Sequence, residues 1–166
     1  RRKSSHFAAY QHVASEFSRL VGIDPWLIDP YFNHCGKIDF QARQGEECLA
    51  EKVGEMLDKI QLKYDEYRID QPPFVIVKAD AGTYGMGIMT VKSPDDVREL
   101  NRKQRNKMAV GKEGLAFSEV LIQEGGYTFE SINGAVAEPV VYMLDHFVVG
   151  GFYRVQTGRG SDENLN

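Results

Sequence analysis

The chain has 166 residues, of which 42% are hydrophobic and 27% charged, and its formal net charge is -4. This composition is ordinary for a single soluble globular domain. The acidic balance provides no general attraction to phosphate backbones or anionic membranes, so neither nucleic acid nor a membrane is an expected partner. No stretch has the pattern of a signal peptide or the length of a membrane span. The chain starts without Met and stops after ENLN, which predicts a piece of a longer protein.

The cysteine content predicts reduced thiols in a cytoplasmic protein. Cys35 and Cys48 are the only two cysteines, too few for a disulfide framework and without CxxC spacing. The segment Asn33-His34-Cys35-Gly36 has no second Cys/His pair at zinc spacing and no base directed at Cys35, so we interpret it as loop or interface. His146 likewise has no partner that the sequence identifies.

Helical periodicity dominates the first part of the chain. Apolar residues recur at intervals of three and four over 7–21, and Gly22 follows as a stop signal, which predicts one amphipathic helix. A second amphipathic helix is predicted, with Leu49, Val53, Leu57 and Ile60 on its apolar face. Ser93-Pro94-Asp95-Asp96 has the pattern of a capped helix start, from which a helix is predicted to about Lys103. The basic stretch 101–114 then reads as a solvated helix end followed by a mobile loop.

Strand patterns dominate the remainder. The segment 74–91 reads as strand, glycine-rich loop, strand, and EVLIQE at 119–124 is a short strand. The apolar runs 135–144 and 146–155 meet at Leu144-Asp145-His146 and predict an antiparallel hairpin. Helices followed by strands indicate an α+β fold, with an antiparallel sheet and flanking helices.

The loop in 74–91 carries glycines at 82, 85 and 87, which allow backbone amides to approach a ligand closely. Lys78 precedes these glycines and a strand follows them, so neither the P-loop nor the dinucleotide fingerprint fits. We predict a hairpin whose tip covers a nucleotide. Lys78 would share a face with Phe74 and Ile76, where its ammonium needs an anionic partner such as phosphate. The alternative is a long hairpin turn with a lysine that reaches water.

The sequence VIVKADAGTYGMGIM (75–89) resembles the second nucleotide-binding lysine and glycine-rich loop of ATP-grasp ligases. The whole chain, from 6–32 to 150–166, resembles the ATP-grasp-type glutamate-cysteine ligases of proteobacteria. The resemblance implies an ATP-grasp-like fold, with a helical part at 1–70 and a nucleotide-binding part at 71–166. It also implies ATP and Mg²⁺ as cofactors and glutamate and cysteine as substrates, joined through a γ-glutamyl phosphate.

The same resemblance implies roles for individual residues. Lys78 and Arg154 would be catalytic, Arg154 meeting the transferred phosphoryl group, with Arg159 as a weaker second candidate. The nucleotide contacts would be Lys78, Gly82, Thr83, Tyr84, Gly85, Met86, Gly87, Gln123, Glu124 and Glu130. The metal ligands would be Glu163, Asn164 and Asn166, although the common family pattern, Glu-x-Asn, is not reproduced here.

Simpler interpretations remain open for several of these residues. Glu130 could be an exposed acid at a strand end, Arg154 a surface arginine paired with a neighbouring acid, and the tail a disordered segment. The first nucleotide lysine is not fixed among Lys37, Lys52 and Lys59, and homo-oligomerisation is open. The alternatives for function are another ATP-grasp carboxylate-amine ligase, or a nucleotide-binding fragment without catalytic activity.

Overall fold

The computed structural model describes residues 2–81, 87–109, 119–158 and 160–162. Two compact units divide the chain, Arg1–Gly125 and Gly126–Asn166. Each contains an antiparallel sheet, and helices flank the first one, so the predicted α+β class is confirmed. Within these residues no helix combines the length and the apolar character needed to cross a bilayer. The predicted division into a helical part at 1–70 and a nucleotide-binding part at 71–166 is based on function, so the compact units do not test it. It stays a prediction.

The sheet of the first unit has four strands in the order β1-β4-β2-β3, all paired antiparallel. The strands are β1 (Phe32–Gly36), β2 (Val75–Ala79), β3 (Ile88–Val91) and β4 (Glu119–Glu124). The β2–β3 hairpin and the strand at 119–124 are confirmed. The interpretation of 33–36 as a loop is wrong, because these residues pair with β4 from Cys35↔Val120 to Asn33↔Ile122.

Helix α2 (Glu46–Tyr67) supplies the core of the first unit. Its predicted face is confirmed, since Leu49, Val53 and Ile60 are fully buried and Leu57 is 8% exposed. The side chains of α2 pack with the buried β-branched residues of the sheet, such as Val75 and Val77. Burial of apolar surface of this kind is the main contribution to folding. The helix ends where Arg68 adopts a left-handed conformation with φ 57°.

Helix α1 (Lys3–Val21) is anchored at its N-terminus by Asp80, the residue after β2. The backbone amide of Ser4 donates to Oδ1 of Asp80 at 2.7 Å, and the Ser4 hydroxyl donates to Oδ2 at 2.8 Å. The amide of Lys3 donates to the Asp80 carbonyl at 2.9 Å. Asp80 therefore satisfies donors that the first helical turn leaves unpaired. At the other end Gly22 closes the helix with φ 73°, as predicted.

The apolar side of α1 remains exposed. The helical periodicity is confirmed, but periodicity alone does not show what covers the face. The exposed large side chains of this face are Tyr10, Val13, Phe17, Leu20 and Val21.

The segment after β3 forms two short helices instead of the single predicted one. Helix α3 (Pro94–Arg98) begins at the predicted Ser93 cap, but it ends five residues before Lys103, and α4 (Arg102–Ala109) follows. The break arises because Asn101 starts a second helix. Its Oδ1 accepts from the amide of Gln104 at 2.9 Å, and Oε1 of Gln104 accepts from the amide of Asn101 at 2.8 Å. This reciprocal arrangement is a capping box. Residues 110–114 of the predicted basic loop lie outside the described residues.

We expect Asn101→Ala to lower the free energy of unfolding of the first unit by about 1 kcal/mol, because the cap of α4 is lost. Urea titration followed by circular dichroism measures this change. Asn106→Ala, at an exposed position within the same helix, is the matched control and should leave stability equal or slightly higher. Equal urea concentrations at the midpoint of unfolding for the two variants would contradict the capping role of Asn101.

The second unit is a sheet of three strands in the order β5-β6-β7. These are β5 (Ser131–Ile132), β6 (Ala135–Leu144) and β7 (Phe147–Gln156). The predicted hairpin is confirmed, with Asp145 and His146 in the turn between β6 and β7. Strand β5 was not predicted, although Asn133-Gly134, with φ of 52° and 77°, is the dipeptide most typical of a tight hairpin turn.

Candidate functional site

Lys78 lies on the face of the first sheet that α1 approaches. Residues alternate along β2, so Val75 and Val77 are buried on one face while Ile76 and Lys78 lie on the other. The Lys78 ammonium donates a hydrogen bond to Oε1 of Gln123 on β4. It also lies 5.2 Å from the ring centroid of Phe7 on α1, within the range of a cation–π interaction. Three separate elements therefore position this amine.

The charge environment of Lys78 is cationic. Burial, and secondarily the nearby charge of Lys3, lower its pKa below the ordinary lysine value. Lys3 is itself held close by, because its ammonium donates to the carbonyl of Ala79 at 2.6 Å. Among the described residues no carboxylate forms an ion pair with Lys78, whose partner is the neutral amide of Gln123. A half-buried ammonium beside a second ammonium is an arrangement that an anionic ligand would stabilise.

The predicted glycine-rich loop follows directly on this position. Five of its predicted contacts, Gly82, Thr83, Tyr84, Gly85 and Met86, lie outside the described residues. Gly87 is described: it has φ 62°, and its carbonyl accepts from the amide of Ala79 at 3.0 Å. The left-handed conformation of Gly87 returns the chain into β3 opposite β2. Gly87 is therefore held opposite Ala79, the residue that follows Lys78 in β2.

Gln123 and Glu124 are consecutive in β4 and point to opposite faces of the sheet. Gln123 faces Lys78, whereas Glu124 is buried on the other side. The two carboxylate oxygens of Glu124 accept from Nε1 of Trp26 at 3.0 and 3.1 Å, and Oε2 also accepts from the amide of Tyr31 at 2.8 Å. The Glu124 side chain is thus engaged within the protein, and its predicted nucleotide contact stays a prediction.

The buried position of Glu124 makes stability depend on pH. Burial is the largest influence on its pKa, which is raised above the usual glutamate value, and the hydrogen bonds from Tyr31 and Trp26 only partly oppose the shift. The folded protein therefore holds a proton to higher pH than the unfolded chain does. Stability from this group is greatest at acidic pH and falls as the pH rises from about 4.5 through the raised folded pKa.

We expect Glu124→Gln to remove this decline, so that the stability difference between variant and wild type grows as the pH rises from 4.5 toward 7. Urea unfolding followed by fluorescence is suited to the measurement, because the single tryptophan, Trp26, donates to Glu124. Glu51→Gln, at an exposed position on α2, is the control and should leave the pH profile unchanged. A pH-independent difference between Glu124→Gln and wild type would be the contrary result.

Arg154 and Glu130 belong to the second unit. Nη1 of Arg154 on β7 donates to Oε2 of Glu138 at 3.4 Å, and the two residues lie directly opposite each other in the β6–β7 pair. This is the neighbouring acid that the simpler interpretation of Arg154 requires. Glu130 is exposed, and its backbone carbonyl accepts from the amide of Ala137 at 2.9 Å. The predicted functions of both side chains stay predictions.

The predicted metal ligands Glu163, Asn164 and Asn166, like Arg159, lie outside the described residues. Within them, His34, Asp80 and Glu119 bring their ligand atoms within 4.8 Å of one another. Both carboxylates are already engaged, Glu119 by the Arg2 guanidinium and Asp80 by Ser4. The group includes an imidazole, whereas Mg²⁺ prefers oxygen ligands. It therefore does not fit a magnesium site.

Two of the three candidates for the first nucleotide lysine, Lys52 and Lys59, contact other groups of the protein. Lys52 donates to the carbonyl of His34 at 2.8 Å, and the Lys59 ammonium lies 3.7 Å from the ring centroid of Tyr31. Lys37 has a positive φ of 60° just after β1. Sequence reasoning missed Lys3, the lysine that approaches Lys78. No local pattern could have indicated it, because the two are 75 positions apart and meet only through the fold.

Comparison with known proteins identifies the family. The family model described as "GshA: Glutamate-cysteine ligase" matches residues 1–166. A crystal structure from Methylobacillus flagellatus KT, of a protein assigned as a gamma-glutamylcysteine synthetase, is 71% identical with a TM-score of 0.89. The match covers 100% of this chain but 39% of that one. No curated protein matches. The chain therefore belongs to the glutamate-cysteine ligase family.

Proposed function

We propose that this chain is the nucleotide-binding part of an ATP-dependent ligase that joins the side-chain carboxylate of glutamate to the amino group of cysteine. Such a reaction is the first step of glutathione synthesis. Membership of the glutamate-cysteine ligase family supports the reaction class. The chain spans 39% of its structural relative, so the proposal for this chain is confined to its nucleotide site.

The observation that carries the nucleotide proposal is the environment of Lys78. Its ammonium is held at the base of a glycine-rich loop, next to Lys3 and bonded only to a neutral amide among the described residues. A phosphate group of ATP would supply the missing negative charge. The backbone amides of a glycine-rich loop are equally suited to phosphate oxygens, because no Cβ blocks their approach. Gln123 would keep the amine in place until the nucleotide binds.

The proposed reaction has two steps. A γ-carboxylate oxygen of glutamate bonds to the terminal phosphorus of ATP while the bond from that phosphorus to the bridging oxygen breaks, giving ADP and γ-glutamyl phosphate. The amino nitrogen of cysteine then bonds to the acyl carbon, phosphate leaves with the electrons of the C–O bond, and one amine proton is released. Lys78 would hold phosphate oxygens, and Arg154 would neutralise charge on the transferred group.

Mg²⁺ is a further element of the proposal, and the resemblance assigns it to Glu163, Asn164 and Asn166. Bound there, it would neutralise phosphate charge beside the nucleotide. Apart from nucleotide and amino acids, we expect no nucleic-acid or membrane partner and a cytoplasmic location.

Calorimetric titration of this chain with a non-hydrolysable ATP analogue and magnesium tests the nucleotide site. We expect saturable binding with one analogue per chain, and competition by ADP. Absence of binding at millimolar analogue would contradict the proposal that this chain binds ATP. The reaction itself is tested on the full-length Methylobacillus flagellatus relative, in which glutamate and cysteine together should trigger ADP release. ADP release with another amine in place of cysteine would instead favour a different carboxylate-amine ligase.

A further inference from the structure

Cys35 and Cys48 are 13 positions apart in the sequence and lie close together where β1 packs near the start of α2. Cys35 lies in β1 and is 2% exposed, while Cys48 lies in the first turn of α2 and is exposed. Their sulfur atoms are 3.8 Å apart. Both thiols are free, and the sequence contains no other cysteine. Every oxidation event at a thiol of this chain therefore concerns this pair.

We propose that Cys35 and Cys48 are a modification site at which a hydroperoxide converts the thiol pair into an intramolecular disulfide. A disulfide bond is about 2.05 Å long, so the sulfur atoms have to approach by about 1.8 Å. Small rotations of two side chains can share this movement. Strand β1 is an edge of the sheet, held by β4 on one side, which leaves it room to adjust.

The two thiols have different roles in the proposed reaction. Exposed Cys48 meets the oxidant first: its thiolate sulfur attacks the O–O bond, becomes a sulfenic acid, and releases water or an alcohol. The sulfur of Cys35 then attacks the Cys48 sulfur, forming the S–S bond and expelling the hydroxyl group as water. The two thiols together lose two protons and two electrons, and the hydroperoxide gains them.

The surroundings of Cys35 support this order. Burial, reinforced by the contact with Cys48, raises the Cys35 pKa to about 11, so this thiol is almost entirely protonated at neutral pH and shielded from direct attack. The ammonium of Lys52 donates to the carbonyl of His34 at 2.8 Å, beside Cys35, and its charge opposes that shift. Lys52 would therefore favour the thiolate of Cys35 during the second step.

The disulfide would tie the edge strand to the main core helix. It would close the chain between residues 35 and 48, a segment in which Lys37, Arg43 and Gly45 all have positive φ. Cross-linking reduces the conformational freedom of the unfolded chain. We expect the oxidised protein to unfold at a temperature roughly 5 to 10 °C above that of the reduced protein.

The test is treatment of the purified chain with stoichiometric hydrogen peroxide, followed by denaturation, alkylation and intact-mass measurement. We expect a monomer that has lost two hydrogens and takes up no alkylating reagent, and that regains two reactive thiols with dithiothreitol. In Cys48→Ser, Cys35 should stay reduced, because it is buried and lacks its partner. This variant changes an exposed position, and its folding is checked by circular dichroism.

Three results would overturn the proposal. The first is wild-type protein in which both thiols can still be alkylated after peroxide. The second is a covalent dimer linked through Cys48 on a non-reducing gel. The third is a mass gain of oxygen atoms on Cys48 with Cys35 still reduced, since it would mean that the second step does not occur.

Discussion

Replacement of Lys78 by alanine should lower the affinity of this chain for an ATP analogue by about 100-fold. A charge-assisted hydrogen bond to phosphate in a half-buried position contributes about 1.5–3 kcal/mol, which is a factor of roughly 10 to 150 in affinity. The upper part of that range applies because the ammonium is anchored before the ligand arrives, by Gln123 and by the ring of Phe7. Calorimetric titration of the variant and wild type measures the ratio.

The matched control for this substitution is Lys103→Ala, which removes an exposed lysine of α4. It should change the affinity by less than about twofold, since loss of a remote surface charge acts only through screened long-range attraction. Folding of Lys78→Ala should be intact, because the change removes a half-buried charge that lies close to Lys3. Equal affinities for Lys78→Ala and Lys103→Ala would exclude Lys78 from the nucleotide site.

The largest effect on stability is expected from Gly125→Ala. A Cβ at this position would lie 2.0 Å from Cε2, 2.3 Å from Cδ2 and 2.5 Å from Cζ of Phe74. Phe74 is 1% exposed, and its backbone carbonyl accepts from the amide of Gly125 at 2.9 Å, so neither ring nor backbone can yield freely. We expect a loss of about 3 kcal/mol in the free energy of unfolding, through displacement of the ring from the core.

Gly126→Ala is a close control for Gly125→Ala, because nothing lies within 4 Å of the Cβ it would add. That variant should remain within about 0.5 kcal/mol of wild type. Phe74→Leu combined with Gly125→Ala should be less destabilised than the sum of the two single changes, since the smaller side chain relieves the overlap. Thermal unfolding of wild type, Phe74→Leu, Gly125→Ala and the double variant provides the comparison, with Gly126→Ala measured beside them. Additive losses would mean that the ring does not cause the effect of Gly125→Ala.

The sequence predicted elements whose signals are local. The α2 face and the β2–β3 pair followed from spacing alone, and the cap at Ser93 fixed the start of α3. Strand β1 was missed because five residues that include His34 and Gly36 show no clear alternation, and only pairing with β4 makes them a strand. The capping box at Asn101 is also a local pattern, with Gln104 three residues after Asn101, and it explains why two helices form where one is predicted.

In the candidate site too, local patterns indicate single residues, whereas the contacts between them depend on the fold. Lys78 was predicted from its place before the glycines, and the structure shows what pattern could not, namely its contacts with Gln123 and Phe7. The approach of Lys3 depends on Asp80, which anchors the first turn of α1 at the end of β2. Such a contact is a property of the tertiary fold. The exposed apolar face of α1 likewise could not be distinguished from a buried one by periodicity.

Because Gln123 and Glu124 point to opposite faces of the sheet, the site around Lys78 depends on the register in which β4 pairs with β2. A slip of β4 by one residue against β2 would exchange the two side chains between faces. The carboxylate of Glu124 would then stand next to Lys78 and neutralise it, while Trp26 would lose its acceptor. One insertion or deletion in this strand would thus abolish the proposed anion affinity without changing any lysine. Chains that bind the nucleotide are therefore expected to preserve the length of β4 more strictly than the identity of its apolar residues.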